Sequence, residues 1–542
     1  MQQEQKLFVN GRIFTANPKQ PYADAMVVRN GKTVWIGSES DIDYTALAKV
    51  SHLTTTDLKD RRVLPGLIDA HMHPVYLASA SVQIACTPPA LYSIEEMISQ
   101  IREKRDAQGS GIWIEGWGYD EGKLREGRTP TRHDLDRATT DAPVSMMRTC
   151  AHIYSVNSLA LELAGIDRNT PDPAGGAIGR DTDGEPNGIL YETARELLFK
   201  VLPKKKLAEI AASLANLSTT LLSQGITGVT EMFARTGPTD YFDLYTAARQ
   251  AGFRQRVALC YLWDDLKNAP PFAPERLDHN QPIFVGGVKT LADGSVSGRT
   301  AWVDPPFLSK HQGDDPNANC GMATITPEEL SAAGAYAKTH NLQLLAHAMG
   351  EKAIDMVIDT FYQKTDTPQL RIEHAAMPTP MALKKSSEMG IAFVTQPVFL
   401  FAEIESYLNN LGYARTKNTY PVRSILDAGV HLAFSSDAPA TSWADPSNPF
   451  VGIQAAVTRT SYNGTDNGQQ HRVDPVTAIE LYTREASKVV GFPGVGQLVP
   501  GFEADFIVLD QDILEADPMT IGLTQVLETY MGGALVYERA SK

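Results

Sequence analysis

Residues 62–74 read RVLPGLIDAHMHP. An apolar run, Val63-Leu64-Pro65-Gly66-Leu67-Ile68, ends in Asp69-Ala70-His71-Met72-His73. Alternate side chains of a strand share a face, so His71 and His73 point the same way. Two imidazoles converging at the end of a buried strand bind one divalent ion, whereas the same pair in a loop is two surface histidines. A two-histidine clamp leaves most of a coordination shell open. What completes it must come from elsewhere in the chain.

Seven later apolar runs follow the same plan: GITGVTEM (225–232), RVALCYLW (256–263), IFVGGVKTL (283–291), LQLLAHA (342–348), QLRIEHA (369–375), GIAFVTQ (390–396) and VHLAFSSD (430–437). Helix-like stretches such as PEELSAAGAYAKTH (327–340) and PMALKKSSEMG (380–390) precede several of them. Eight strands alternating with helices predict an α/β chain folded as a (β/α)8 TIM barrel. Strand one lies in residues 63–79 and the remainder of the barrel in 216–490. The gap between them, 80–215, exceeds one crossover helix and predicts an insertion after strand one, over the barrel mouth. Asn10-Gly11 and Asn30-Gly31 mark hairpins near the N-terminus, and DFIVLD (505–510) and ALVYER (534–539) have the same strand texture. Neither end carries enough apolar mass alone, so 1–62 and 491–542 are expected to form one small β-sandwich built from both chain termini.

Polar residues recur where these runs end. His71 and His73 close the first, Lys289 falls in the fourth, His347 in the fifth, His374 in the sixth, and Asp437 closes the eighth. Singly, each has an ordinary reading: a hydrogen-bonded histidine, a surface lysine, an aspartate capping a helix. Together they lie on the C-terminal lip of the predicted barrel, where side chains from different strands converge on a site.

The bulk composition narrows the partners. A hydrophobic share of 43% and a charged share of 21% are those of an ordinary soluble protein. The net charge of −15 disfavours nucleic acid and anionic membrane. Cys86, Cys150, Cys260 and Cys320 are widely spaced with no CxxC, which argues against a zinc finger or disulfide framework and fits a reducing cytoplasm. No apolar run is long enough to span a bilayer and no signal-peptide pattern opens the sequence. There is no GxSxG, no GxxxxGK[ST] and no GxGxxG with a dinucleotide partner.

PGLIDAHMHP (65–74), VKTLADGSVSGRTA (288–301), LLAHAMGEKAID (344–355), RIEHA (371–375) and FSSDAPA (434–440), in that order, resemble the motifs of the amidohydrolase superfamily, in its amidohydrolase-3 branch. GWGYD (116–120), PVSMMRTCAHIYSVNSLAL (143–161) and GQLVPGFEADFIVLD (496–510) resemble that branch's insertion and C-terminal strands. The resemblance implies a binuclear metal centre. His71 and His73 would hold one ion, and His347 and His374 the other. Lys289 would bridge them after carboxylation of its amine, the other reading being an unmodified lysine at a one-metal site. Asp437 would be the last ligand and the proton shuttle. Zinc is the first expectation for the two divalent ions, with manganese, iron and nickel left open. Glu351 stands where relatives commonly carry Asp after the Gly and is kept outside the metal shell.

Such a centre implies hydrolysis of a C–N bond in an amide-type small molecule: a hydroxide between the ions attacks the carbonyl, and Asp437 moves its proton to the leaving nitrogen. The branch includes enzymes of N-substituted formamides, so an N-substituted amide or formamide is the expected substrate. Trp117, Tyr119 and Asp120, with His152 and Arg299, are candidate substrate contacts; packing of the insertion core is the alternative for the aromatics, and loop bracing for Arg299. A mononuclear deaminase of a heterocyclic amine, an ester or lactone hydrolase on the same site, and a non-catalytic relative are the competing readings. The resemblance also implies a homo-oligomer, a dimer.

Overall fold

The computed structural model describes residues 5–47, 53–149, 153–173, 176–203, 206–309 and 319–540. The chain divides into two compact units. One comprises 1–74, 214–437 and 447–542; the other comprises 75–213 and 438–446.

The first unit contains the barrel. Its strands, numbered here from β1, are β1 (Leu67–Met72), β2 (Ile226–Ala234), β3 (Arg256–Leu262), β4 (Ile283–Leu291), β5 (Gln343–Ala348), β6 (Gln369–His374), β7 (Ala392–Thr395) and β8 (His431–Phe434). Each pairs in parallel with the next. The ring is drawn together between β8 and β1 just past the end of β8, where Asp437 N donates to His71 O at 2.8 Å and Ser436 N to Asp69 Oδ1 at 3.2 Å. These strands are apolar over most of their length because both faces of a barrel strand are covered. Met232, Cys260 and Leu345 pack together as one apolar cluster, and Ile68, Ala70, Phe284 and Val394 pack with Val489, Val490 and Phe492 in another.

The crossover helices begin and end where their local chemistry dictates. Helix Pro327–Thr339 has proline in its first turn, and its N-cap Thr326 side chain accepts from Glu329 N at 3.2 Å. Helix Pro380–Met389 repeats the device with Thr379, and Gly390 ends it in the left-handed conformation at φ 68°.

Strands from both termini join one eight-stranded sheet. Gln5–Phe14 pairs with Leu53–Pro65, which in turn pairs with Phe506–Leu509. Phe8, Val63, Phe506 and Tyr530 share its core. The strand Leu53–Pro65 runs straight into β1, so this sheet fixes the entry of the chain into the barrel.

The second unit is built on a six-stranded sheet, with helix Ile94–Gln108 contributing Ile94, Met97, Ile98 and Ile101 to its core. The short segment 438–446 is tied to it: Thr87 Oγ1 donates to Ser442 O at 3.1 Å and Ala444 N to Pro88 O at 2.9 Å. No helix among the described residues is long and apolar enough to cross a membrane.

Candidate metal centre

The six lip residues all belong to the first unit, and all are buried or nearly so. One ligand atom each from His71, His374 and Asp437 lies within 4.8 Å of the others. Asp437 Oδ1 is 3.2 Å from His71 Nε2 and 3.0 Å from His73 Nε2. The ring centroids of His71 and His374 are 4.8 Å apart, and those of His347 and His374 are 4.4 Å apart. The tightest donor set therefore takes one histidine from each of the two pairs that the sequence suggests, with the Asp437 carboxylate between His71 and His73.

Backbone geometry brings two of these groups inward. His374 has φ 72°, Ala375 φ 46° and Asp437 φ 57°, left-handed values that non-glycine residues adopt at a cost. In a regular strand Glu373 and His374 would face opposite sides. The turn at His374 breaks that alternation and lets both reach the centre.

Hydrogen bonds fix which nitrogen each ring presents. His71 Nδ1 donates to Glu373 Oε2 at 2.6 Å, so the nitrogen left to meet a metal is Nε2, which lies 3.2 Å from Asp437 Oδ1. His374 Nδ1 is 2.9 Å from Gln396 Oε1, and the Gln396 amide is oriented by donating to Ser435 Oγ at 2.9 Å. His374 likewise presents Nε2. His347 is the reverse case: its Nε2 donates to Gly294 O at 2.9 Å, leaving Nδ1 as the lone-pair nitrogen. Burial lowers the His347 pKa to about 4 and that of His374 well below its ordinary value, so both rings are neutral and able to donate electron pairs. Burial alone would raise Asp437, but the His71 and His73 rings beside it outweigh that and hold the carboxyl well below the usual range.

Lys289 lies on β4, buried to 1% exposure, and its Nζ has no hydrogen-bond partner among the described residues. Burial pushes its pKa down to about 8, against the opposing pull of Glu373 and Asp437. A buried amine without a partner is costly as an ammonium ion.

These residues fit a divalent cation. His71, His374 and Asp437 offer three ligand atoms within 4.8 Å of one another, and the buried Lys289 Nζ has no hydrogen-bond partner among the described residues. Neutral imidazole nitrogens and a carboxylate oxygen are the donors that zinc and similar ions take.

Several supporting residues escape a reading of the sequence alone. Glu373 and Arg371 stand two apart on β6, which is the only local sign that they share an inward face. Gln396, just past β7, gives no sign at all. Asp293, in the loop after β4, accepts from Trp302 N and Gly350 N at 2.9 Å each and from Met349 N at 3.0 Å, fastening the loop to the turn that follows β5. Glu351 accepts from Asp304 N at 3.2 Å and pairs with Arg415 at 3.2 Å.

The other candidate contacts lie in different surroundings. Arg299 donates to Leu308 O and to Asn410 Oδ1, and lies over the Phe307 ring at 5.4 Å, so its guanidinium braces its own loop. In the second unit, Trp117 donates to Ala80 O at 3.2 Å, and Tyr119 sits in the core with its hydroxyl 3.0 Å from Ser155 Oγ. Asp120 accepts from Gly122 N at 2.9 Å and is 3.7 Å from Arg148. His152 lies outside the described residues.

Comparison with known proteins agrees with this geometry. The family whose profile matches the chain is described as the Amidohydrolase family, over residues 54–537. A Bacillus subtilis (strain 168) protein named as an amidohydrolase, YtcJ, is 28% identical over 98% of this chain and 99% of its own. The N-substituted formamide deformylase of Arthrobacter pascens is 26% identical over 98% of each. Among solved structures, an uncharacterized metal-dependent hydrolase from Pyrococcus horikoshii OT3 superposes with a TM-score of 0.75 at 25% identity, covering 95% of this chain and 99% of its own.

Proposed function

The chain belongs to the Amidohydrolase family of metal-dependent hydrolases, and from that premise we propose that it cleaves the C–N bond of an N-substituted amide or formamide. The observation that carries this reading is the convergence of His71, His374 and Asp437 within 4.8 Å of one another at the C-terminal end of the barrel. The deformylase relative, alike over nearly its whole length, supports the substrate class.

His71, His73, His347 and His374 would hold the metal through neutral imidazoles. Lys289 is proposed to carry a carboxylated amine that joins two ions, zinc in the first instance. Its neutral amine is the form that adds to carbon dioxide, releasing one proton and leaving an anionic carbamate with two oxygens. The ions, when bound, lower the pKa of water toward neutrality and polarise a carbonyl. Asp437, ionised and beside His71 and His73, would take a proton from water and return it to the leaving nitrogen, general base and then general acid.

The surroundings suit an apolar N-substituent. Phe233 packs on His73 with ring centroids 4.5 Å apart, and Phe399 stacks on His374 at 6.1 Å. The test is to assay metal-loaded protein against N-substituted formamides, acetamides and cyclic amides, with amine release as the readout. Turnover of a formamide supports the proposal. Turnover of an aminopurine or pterin with none of any amide would replace it with a deaminase.

A further inference from the structure

Glu373 and Arg371 form a fully buried ion pair inside the barrel, both within 1% of complete burial. Arg371 Nε donates to Glu373 Oε1 at 2.5 Å and Nη2 to Oε2 at 3.2 Å, the two-point pairing that gives guanidinium–carboxylate contacts their directionality. Arg371 Nη2 also donates to Ala70 O, the carbonyl immediately before His71. Glu373 Oε2 meanwhile receives the His71 ring at Nδ1, 2.6 Å away. One pair on β6 thus grips β1 twice, once by its backbone and once by its histidine. The two strands are not neighbours in the sheet, so no ladder hydrogen bond performs this job.

We infer that Glu373, anchored by Arg371, is the positioning residue that fixes the tautomer and orientation of His71 for metal binding. The inference rests on the metal-centre reading above and deepens it. Each carboxylate oxygen of Glu373 already accepts from Arg371, and Oε2 accepts from His71 as well, so Glu373 acts through the histidine. Ion pairs in such a setting add little net stability over an apolar replacement, because both charges must be desolvated. What an apolar replacement could not supply is an acceptor that holds the proton on Nδ1 and leaves Nε2 free to ligate.

The full-length protein, loaded with Zn²⁺, tests this by chelator-competition affinity. Loss of a carboxylate behind a ligating histidine is expected to weaken the metal about 10–100-fold in E373Q. E373Q leaves Arg371 without its counter-charge and so risks misfolding. The double variant R371M/E373L removes both charges together with the acceptor, is expected to fold, and should show at least the same weakening. ¹⁵N imidazole spectra should show His71 passing from the Nδ1–H form to a mixture of tautomers, a change that loss of packing alone does not produce. Folded variants with wild-type zinc affinity and an unchanged His71 tautomer would overturn the inference. A wild-type chain that takes up no zinc would instead overturn the metal-centre reading itself.

Discussion

Glu373 and His374 are consecutive residues of one strand, yet both meet His71: Glu373 Oε2 is 2.6 Å from its Nδ1, and the His374 ring centroid is 4.8 Å from its own. A regular strand forbids this, because neighbouring side chains take opposite faces. The left-handed φ of 72° at His374 makes it possible by turning the chain as β6 ends. The same left-handed geometry recurs at Asp437, at φ 57°, where the segment after β8 delivers its carboxylate. Backbone strain of this kind is held in place by surrounding structure, and here it falls on two residues of the donor set.

The role proposed for Asp437 is tested by Asp437→Asn. The asparagine keeps the size and one acceptor oxygen, but cannot take a proton from water. Turnover is expected to fall roughly a hundredfold to ten-thousandfold, the usual range for loss of a general base, while metal content measured on the same samples stays near wild type. Undiminished turnover would remove Asp437 from the proton-transfer role.

Lys289→Met should separate a binuclear centre from a mononuclear one. The methionine fills the buried space left by the lysine, so the barrel is expected to fold. It offers no amine for carboxylation, and metal content should drop by about one ion per chain. In the wild-type protein, supply of ¹³C-bicarbonate during metal loading should produce a carbamate resonance that Lys289→Met lacks. Equal metal content in the two proteins would leave Lys289 as an unmodified buried amine.

Much of this site was legible in the sequence. Every barrel strand lies on an apolar run, because a strand covered on both faces cannot hide its composition. Lys289, His347 and Asp437 stood out as polar residues where such runs end. The residues that fix the tautomers did not stand out: Glu373 binds a histidine 302 positions earlier and Gln396 one 22 positions earlier. Those pairings are set by barrel closure and by the turn at His374, which period-two reasoning would send the other way. Tyr119, marked as a candidate substrate contact, lies in the second unit's core bonded to Ser155. Alternation within GWGYD alone does not reveal which face is internal. The attachment of 438–446 to the second unit depends on contacts with Thr87 and Pro88, roughly 350 residues distant, and has no local signature.

Gly350 is expected to be intolerant of any side chain. A Cβ there would lie 2.1 Å from Trp302 O, a backbone atom that cannot swing aside, in the loop that Asp293 fastens to this turn. Gly350→Ala should destabilise the protein by about 1–3 kcal/mol, the usual cost of overpacking. Asp293→Ala should cost at least as much, since it strands three backbone N–H groups. Thermal melts of metal-loaded protein measure both, and wild-type stability in Gly350→Ala would show that the two loops separate freely.

Phe233 offers the most direct handle on substrate choice. It ends near the C-terminal lip on β2, half-buried, with its ring tilted against His73. Phe399, by contrast, is almost wholly buried against His374. If Phe233 contacts the N-substituent, Phe233→Ala removes an aromatic contact worth about 0.5–1.5 kcal/mol beyond its buried area. Formamides bearing an aryl or benzyl group on nitrogen should then lose several-fold in kcat/KM, mainly through KM, because this contact is the same in ground and transition states. N-methylformamide, too small to reach the ring, should change little, and zinc content should remain as in the wild type. An equal loss for both substrates, or a loss of zinc, would show instead that Phe233 serves to support His73.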